Sequence, residues 1–153
     1  MLGLIVSAMA GLVAPSTAIS TAICEVGRVA LRDLPPLDKG VGNVSNYFDA
    51  DPDHHGLPEV CPVLRQDLPE GYSLADEAAW AKANVHAPIP GKYTSSAFIY
   101  AIEAPKISAD GKSATIEWGY TCTGLCGGGL VSRYVRTSKG WRRAGGPLLK
   151  WVS

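Results

Sequence analysis

The stretch SATIEWGYTCTGLCGGGLVSRYVRT, residues 113–137, decides the fold class. Ala114, Ile116 and Trp118 fall on one side of an extended chain, and Thr115 and Glu117 on the other. That period of two belongs to a half-buried strand. Ser113 to Thr121 and Leu130 to Thr137 therefore read as strands, joined by the Cys122–Gly129 loop. A link that short makes them antiparallel neighbours. Working outward, Tyr93 to Ile102 is a further strand, set off by the turn Ser108-Ala109-Asp110-Gly111-Lys112. Another begins at Trp141, after Ser138-Lys139-Gly140.

Before Gly91 the period lengthens to that of a helix. In Ile23 to Leu34, the residues Ile23, Val26, Ala30 and Leu34 share one face, and Pro35-Pro36 ends the run. Ser73 to Asn84 opens with Ser73 as N-cap and Asp76 three residues on, carries Leu74 and Trp80, and stops before Ala87-Pro88-Ile89-Pro90-Gly91. Residues 35–72 read as one long irregular stretch; a loop of that length usually signals function or an unrecognised element. The expectation is an α+β domain: short N-terminal helices packed on a curved antiparallel β-meander of about four strands.

Composition agrees with an ordinary globular domain. The 153 residues hold 46% hydrophobic types, with fourteen basic and fourteen acidic side chains. Collagen-like, disordered and coiled-coil classes drop out. A net charge of zero argues against a dedicated nucleic-acid binder. The balance conceals a dipole. Residues 1–77 carry four bases against eleven acids, and residues 78–153 ten bases against three acids. From Leu130 onward there are six bases and no acid.

No charged side chain precedes Glu25. Met1 to Ala14 is apolar over the length of a signal-peptide core, and Ser16-Thr17-Ala18 and Ser20-Thr21-Ala22 offer the small residues that signal peptidase accepts. The run is shorter than the roughly 20 residues of a membrane span. Bulky Ile23 before Cys24 argues against a lipoprotein start. Residues 1–22 thus read as a cleaved export signal and 23–153 as a single domain, periplasmic or secreted, with no membrane span in the mature chain. Cys24, Cys61, Cys122 and Cys126 all survive such a cleavage, and an oxidising compartment favours disulfides. Three pairings are open. A tight turn at Gly124 favours Cys122 with Cys126, which leaves Cys24 with Cys61.

The C-terminal part, Lys112 to Ser153, resembles a module found in bacterial exported proteins of unknown function. The residues that carry the likeness are Leu125-Cys126-Gly127-Gly128-Gly129, Lys139-Gly140-Trp141 and Trp151-Val152-Ser153. Helices followed by a curved meander with a turn-then-Trp strand are also similar to the nuclear-transport-factor-2-like, cystatin-type superfamily. That resemblance implies a cone-shaped fold. It implies no reaction, because such folds host enzymes, binders and dimerisation modules alike.

The densest group of potential ligands is Asp49-Ala50-Asp51-Pro52-Asp53-His54-His55-Gly56. A calcium loop would need Gly and Glu where His54 and Val60 stand. Asp53-His54-His55 matches the signature triplet of the DHH phosphoesterases, but those enzymes need further aspartates on strands and a far longer chain. A zinc or copper site could use His54 or His55 with a carboxylate and His86. A metal-assisted hydrolase drawn on this loop would use Asp51, Asp53 and His55. The plainer reading is a solvated acidic loop.

Gly124-Leu125-Cys126-Gly127-Gly128 has nucleophile-elbow spacing, yet a strand follows it where the elbow needs a helix, and a disulfide would consume the thiol. Arg133, Arg136, Arg142 and Arg143 interleave with Tyr134 and Trp141, but Arg133 and Arg136 differ in strand parity. The leading expectation is a non-catalytic exported domain that binds a partner or small ligand in the concavity of its sheet and needs no cofactor. The alternatives are a small exported metal-assisted hydrolase on the Asp/His loop, and an inhibitor or immunity-type protein that turns its basic hairpin on an acidic target.

Overall fold

The computed structural model describes residues 16–36, 43–85, 95–124 and 126–153. The chain is α+β, with a few helices and a curled, mixed sheet. Helix α1 (Ser16–Arg32) leads into β1 (Asn43–Phe48), a 3-10 turn at Pro52–His54, the single-turn α2 (Leu57–Val60) and a second 3-10 turn at Pro62–Gln66. Then come β2 (Tyr72–Leu74), α3 (Glu77–Ala83), β3 (Ser95–Ile102), β4 (Lys106–Ile107), β5 (Ser113–Cys122), β6 (Cys126–Thr137), β7 (Gly140–Arg143) and β8 (Leu148–Val152). The strands lie in the order β2-β1-β3-β5-β6-β7, with β4 on β5 and β8 on β6.

Three expectations need correction. The sheet has eight strands among the described residues, where about four were expected, and it is not wholly antiparallel. β1 runs parallel to both β2 and β3, with Asn46 opposite Phe98 and Phe48 opposite Tyr100. The physical reason is the crossover between β1 and β3, which is long enough to reverse direction twice. The single strand expected from Trp141 onward is two, β7 and β8, divided near Gly145 at φ 83°. Thirdly, Ser73 is not a helix cap. It sits in β2 opposite Tyr47, and the Ala75 N–H donates to the Phe48 carbonyl at 2.9 Å, so this backbone belongs to the sheet. Asp76 caps α3 instead, its Oδ1 accepting from the Ala79 N–H at 2.8 Å. The breaker at Ala87–Gly91, the first residues of the strand expected from Tyr93, and the apolar run Met1–Ala14 lie outside the described residues.

Helix α1 packs on the inner face of the sheet. Val26 and Leu31 are fully buried, with Ala22, Ala30 and Leu34 beside them, against Phe48, Ile102, Ile116, Tyr134 and Trp141. The helix crosses the expected cleavage point without a break, and Ala22 joins the core. Gly27 allows close approach: a Cβ there would stand 2.5 Å from Leu57 Cδ1. On the outer face, Ala79 and Ala83 of α3 cover Ala97 and Ile99 of β3. Helix α3 thus covers the outer face over β3, whereas over β5, β6 and β8 that face has no helix among the described residues. Among those residues no helix is long and apolar enough to cross a membrane.

Both cysteine pairs stand at disulfide distance. Cys24 and Cys61 join α1 to the segment after α2, with Cα atoms 5.5 Å apart. Cys122 and Cys126 lie opposite each other across the β5–β6 turn, at 5.0 Å.

Candidate functional site

The inner face of the sheet carries helix α1 and a row of aromatic rings. α1 occupies one part, and Tyr72, Phe98, Tyr100, Trp118 and Tyr120 form an aromatic row, with neighbouring ring centroids 5.6–6.3 Å apart. Burial pushes the Tyr72 and Tyr100 phenols above their ordinary range, as expected of hydroxyls used for packing.

Polar chemistry gathers where β1 ends. The Asp49 N–H donates to the Tyr100 carbonyl at 2.8 Å, which draws the Asp49 carboxylate into the protein. Its Oδ1 accepts from the Asp51 N–H at 3.0 Å, and its Oδ2 lies 2.6 Å from His54 Nδ1. Asp51 in turn caps the Pro52–His54 turn through the Asp53 N–H. These bonds fix the His54 ring, whose edge meets Trp80 with centroids 5.9 Å apart. The other ring nitrogen, Nε2, is left 4.0 Å from Asp51 Oδ2.

The hydrogen bond to Asp49 raises the His54 pKa above the ordinary 6.5, and the charges of Asp49, Asp51 and Asp53 add to it against a small burial effect. The sign follows from linkage. Protonated His54 contributes stability in full below pH 6.5, and the contribution fades as pH rises through the elevated pKa. In an NMR titration the His54 ring protons should show a midpoint above 6.5, and Asp49→Asn should bring it down towards that value. A midpoint unmoved by Asp49→Asn would remove the ion pair from the account.

Beside this corner opens a cavity of about 510 Å³, walled by Leu74 and Trp80 and carrying Asp51, Arg65, Asp76 and Glu77. Three separate elements supply these groups: the β1 exit, the Pro62–Gln66 turn and the β2–α3 junction. Asp76 is committed to capping α3. Arg65 and Glu77 are different: among the described residues neither forms an ion pair, although both face one cavity, and the Arg65 Nε is buried without a partner. The cavity therefore presents a cation, an anion and an indole together.

The residues drawn on for a metal do not meet. His55 adopts a left-handed backbone at φ 46°, which turns its ring outward to Glu59, with Nδ1 3.1 Å from Oε2. Asp53 is exposed, and Asp51 serves as a cap. Among the described residues no three His, Cys, Asp or Glu side chains stand together as metal ligands. His86 lies outside the described residues. Cys126 is held with Cys122, and no free cysteine stands among the described residues. Of the expected loop, the structure singles out Asp49 and His54, a buried carboxylate orienting an imidazole. Arg65 and Glu77 had no signal in the sequence beyond their charge. Trp80 did: a lone indole in a short, alanine-rich helix.

The arginines divide between the faces. Arg136 lies 3.3 Å from Glu25 of α1 and over the Trp141 ring, and Arg143 lies 3.9 Å from Asp33. Arg133, opposite Thr115, and Arg142, opposite Val135, point to the outer face. Comparison with protein-family models, curated proteins and solved structures found no match for the chain.

Proposed function

We propose that the chain is an exported, disulfide-stapled, non-catalytic domain that binds a small zwitterionic amine of the amino-acid class. The carrying observation is the unpaired Arg65 and Glu77 sharing one cavity with Trp80. A ligand bearing a carboxylate and an ammonium complements both: the guanidinium takes the carboxylate as a fork, and Glu77 takes the ammonium near the indole. The acidic first half of the chain favours approach of the cationic end. The buried Asp49 holds the cavity's rim in shape through His54. Two cysteine pairs at disulfide distance and the apolar leader of residues 1–22 support the periplasmic or secreted location. The curled sheet with α1 against its inner face supports the cone-shaped architecture of the nuclear-transport-factor-2-like reading.

The test is thermal unfolding with pooled L-amino acids, alongside the matching amino-acid amides and simple carboxylates, which each lack one charge. Occupancy at about a hundred times Kd stabilises by about 2.7 kcal/mol. A rise in Tm with a free amino acid, lost with either one-charge analogue and abolished by Arg65→Ala or Glu77→Gln, is the expected result. No rise with any amino acid, or equal rises in the two variants, overturns the reading. Mass spectrometry of protein exported with its native N-terminus should find a chain beginning near Ile23.

A further inference from the structure

A second, independent feature lies on the opposite side of the sheet. Among the described residues β8 pairs with β6 alone, so its other backbone edge has no partner. The Ser153 N–H donates to the Gly127 carbonyl at 3.0 Å. In an antiparallel ladder the next residue back then directs its N–H and C=O the other way, so Val152 presents both to the open edge. Leu148, Leu149, Trp151 and Val152 are each more than half exposed, an unusual concentration for a single strand.

Register places these side chains. Leu148 lies opposite Val131 and Trp151 opposite Gly129, both on the outer face. A register shift between Gly129 and Leu130 leaves Lys150 over, and its ammonium bonds Glu117 on that same face. Glu117 is shared with Lys106 at 3.2 Å, so Lys150 is engaged and does not guard the edge as edge lysines commonly do. Gly129 is a glycine for contact reasons: a Cβ there would collide with the Trp151 indole, which lies flat on the strand. Further along the same face stand Arg133 and Arg142, both exposed and without an ion pair among the described residues. The outer face therefore offers an indole and a leucine on β8 and the Arg142 guanidinium on β7, all on the edge, with the Arg133 guanidinium one strand in on β6.

We infer that β8 receives an extended acidic segment of another protein, added as a further strand. Backbone bonds to the open edge supply the register, apolar side chains of the segment rest on Trp151 and Leu148, and its carboxylates meet Arg133 and Arg142. A second copy of this chain fits less well, because residues 126–153 contain no acidic side chain to offer those arginines.

The experiment uses fluorescein-labelled peptides of about ten residues, a length that spans one edge strand. One alternates Glu with Val, one Lys with Val, and binding is followed by anisotropy at low and high salt. The acidic peptide should bind, weaken with salt, and lose affinity about tenfold with Arg133→Glu and Arg142→Glu together. Val152→Pro removes one outward donor, leaves the β6 ladder intact, and should weaken binding comparably at unchanged Tm. Equal binding of both peptides, indifference to the double charge reversal, or no binding of the acidic peptide at about 1 mM would overturn the assignment. A dimer in size-exclusion chromatography that Val152→Pro dissociates would also overturn it, giving the edge to a second copy.

Discussion

Replacing Cys24 and Cys61 together by serine should lower the unfolding free energy by about 4 kcal/mol. The bridge spans 37 positions, and the chain entropy it removes from the unfolded state grows with that span. It ties α1, which carries Val26, Ala30 and Leu31 into the core, to the segment that brings Leu57 and Leu64 to meet them. Cys61 is itself buried, so the serine hydroxyl adds a desolvation cost. The Cys122–Cys126 pair spans four positions within a hairpin that β5 and β6 hold together along ten registered pairs. Its double serine variant should cost about 2 kcal/mol. Urea unfolding of both variants measures the difference. A domain of this size has about 5–15 kcal/mol in total, so the first variant should be visibly marginal. Equal midpoints would show that the longer bridge does not constrain the unfolded chain as its span requires.

Phe48→Ala should cost about 3–5 kcal/mol. Phe48 is fully buried at the end of β1, opposite Leu74 on one side and Tyr100 on the other. It stands where two parallel seams meet, so its loss leaves a void that neither neighbouring strand can close without breaking register. Leu149→Ala provides the contrast: that side chain is mostly exposed, and its truncation should stay within about 0.5 kcal/mol of the parent. Chemical unfolding of the pair is the measurement. A Phe48→Ala effect as small as that of Leu149→Ala would contradict the placement of β1 inside the sheet.

That placement was the part of the fold hardest to read. The β3, β5, β6 and β7 run was legible because alternation and turn residues are local signals, and Ala114, Ile116 and Trp118 declared their face. β1 carries Asn43, Ser45 and Asn46 in six residues, and Asn46 is buried although polar. Its strand character comes from partners more than twenty residues away, which no local pattern records. Ser73 misled for a related reason: its capping-box spacing is sound chemistry, but Tyr72–Leu74 gains more by pairing with Asn46–Phe48.

The candidate site was half legible. Density of Asp and His marked the right loop. Which imidazole turned inward depended on one left-handed residue, His55, and spacing alone did not separate it from His54. Arg65, Glu77 and Trp80 come from elements that meet only once the crossover has folded. The arginines were half legible in the same way. Parity separates Arg133 from Arg136 correctly, but the partnership of Arg133 with Arg142 arises from the β6–β7 register.

The parallel seam between β1 and β3 also sets an order of events. The β5–β6 hairpin closes over a few residues and can form within microseconds, whereas β1 must find β3 across about fifty intervening residues. Until it arrives, β3 is itself an open edge, displaying Phe98 and Tyr100 to any other unfinished chain. Crowding of nascent copies should therefore be most hazardous in that interval, which ends when β1 docks and closes the β3 edge.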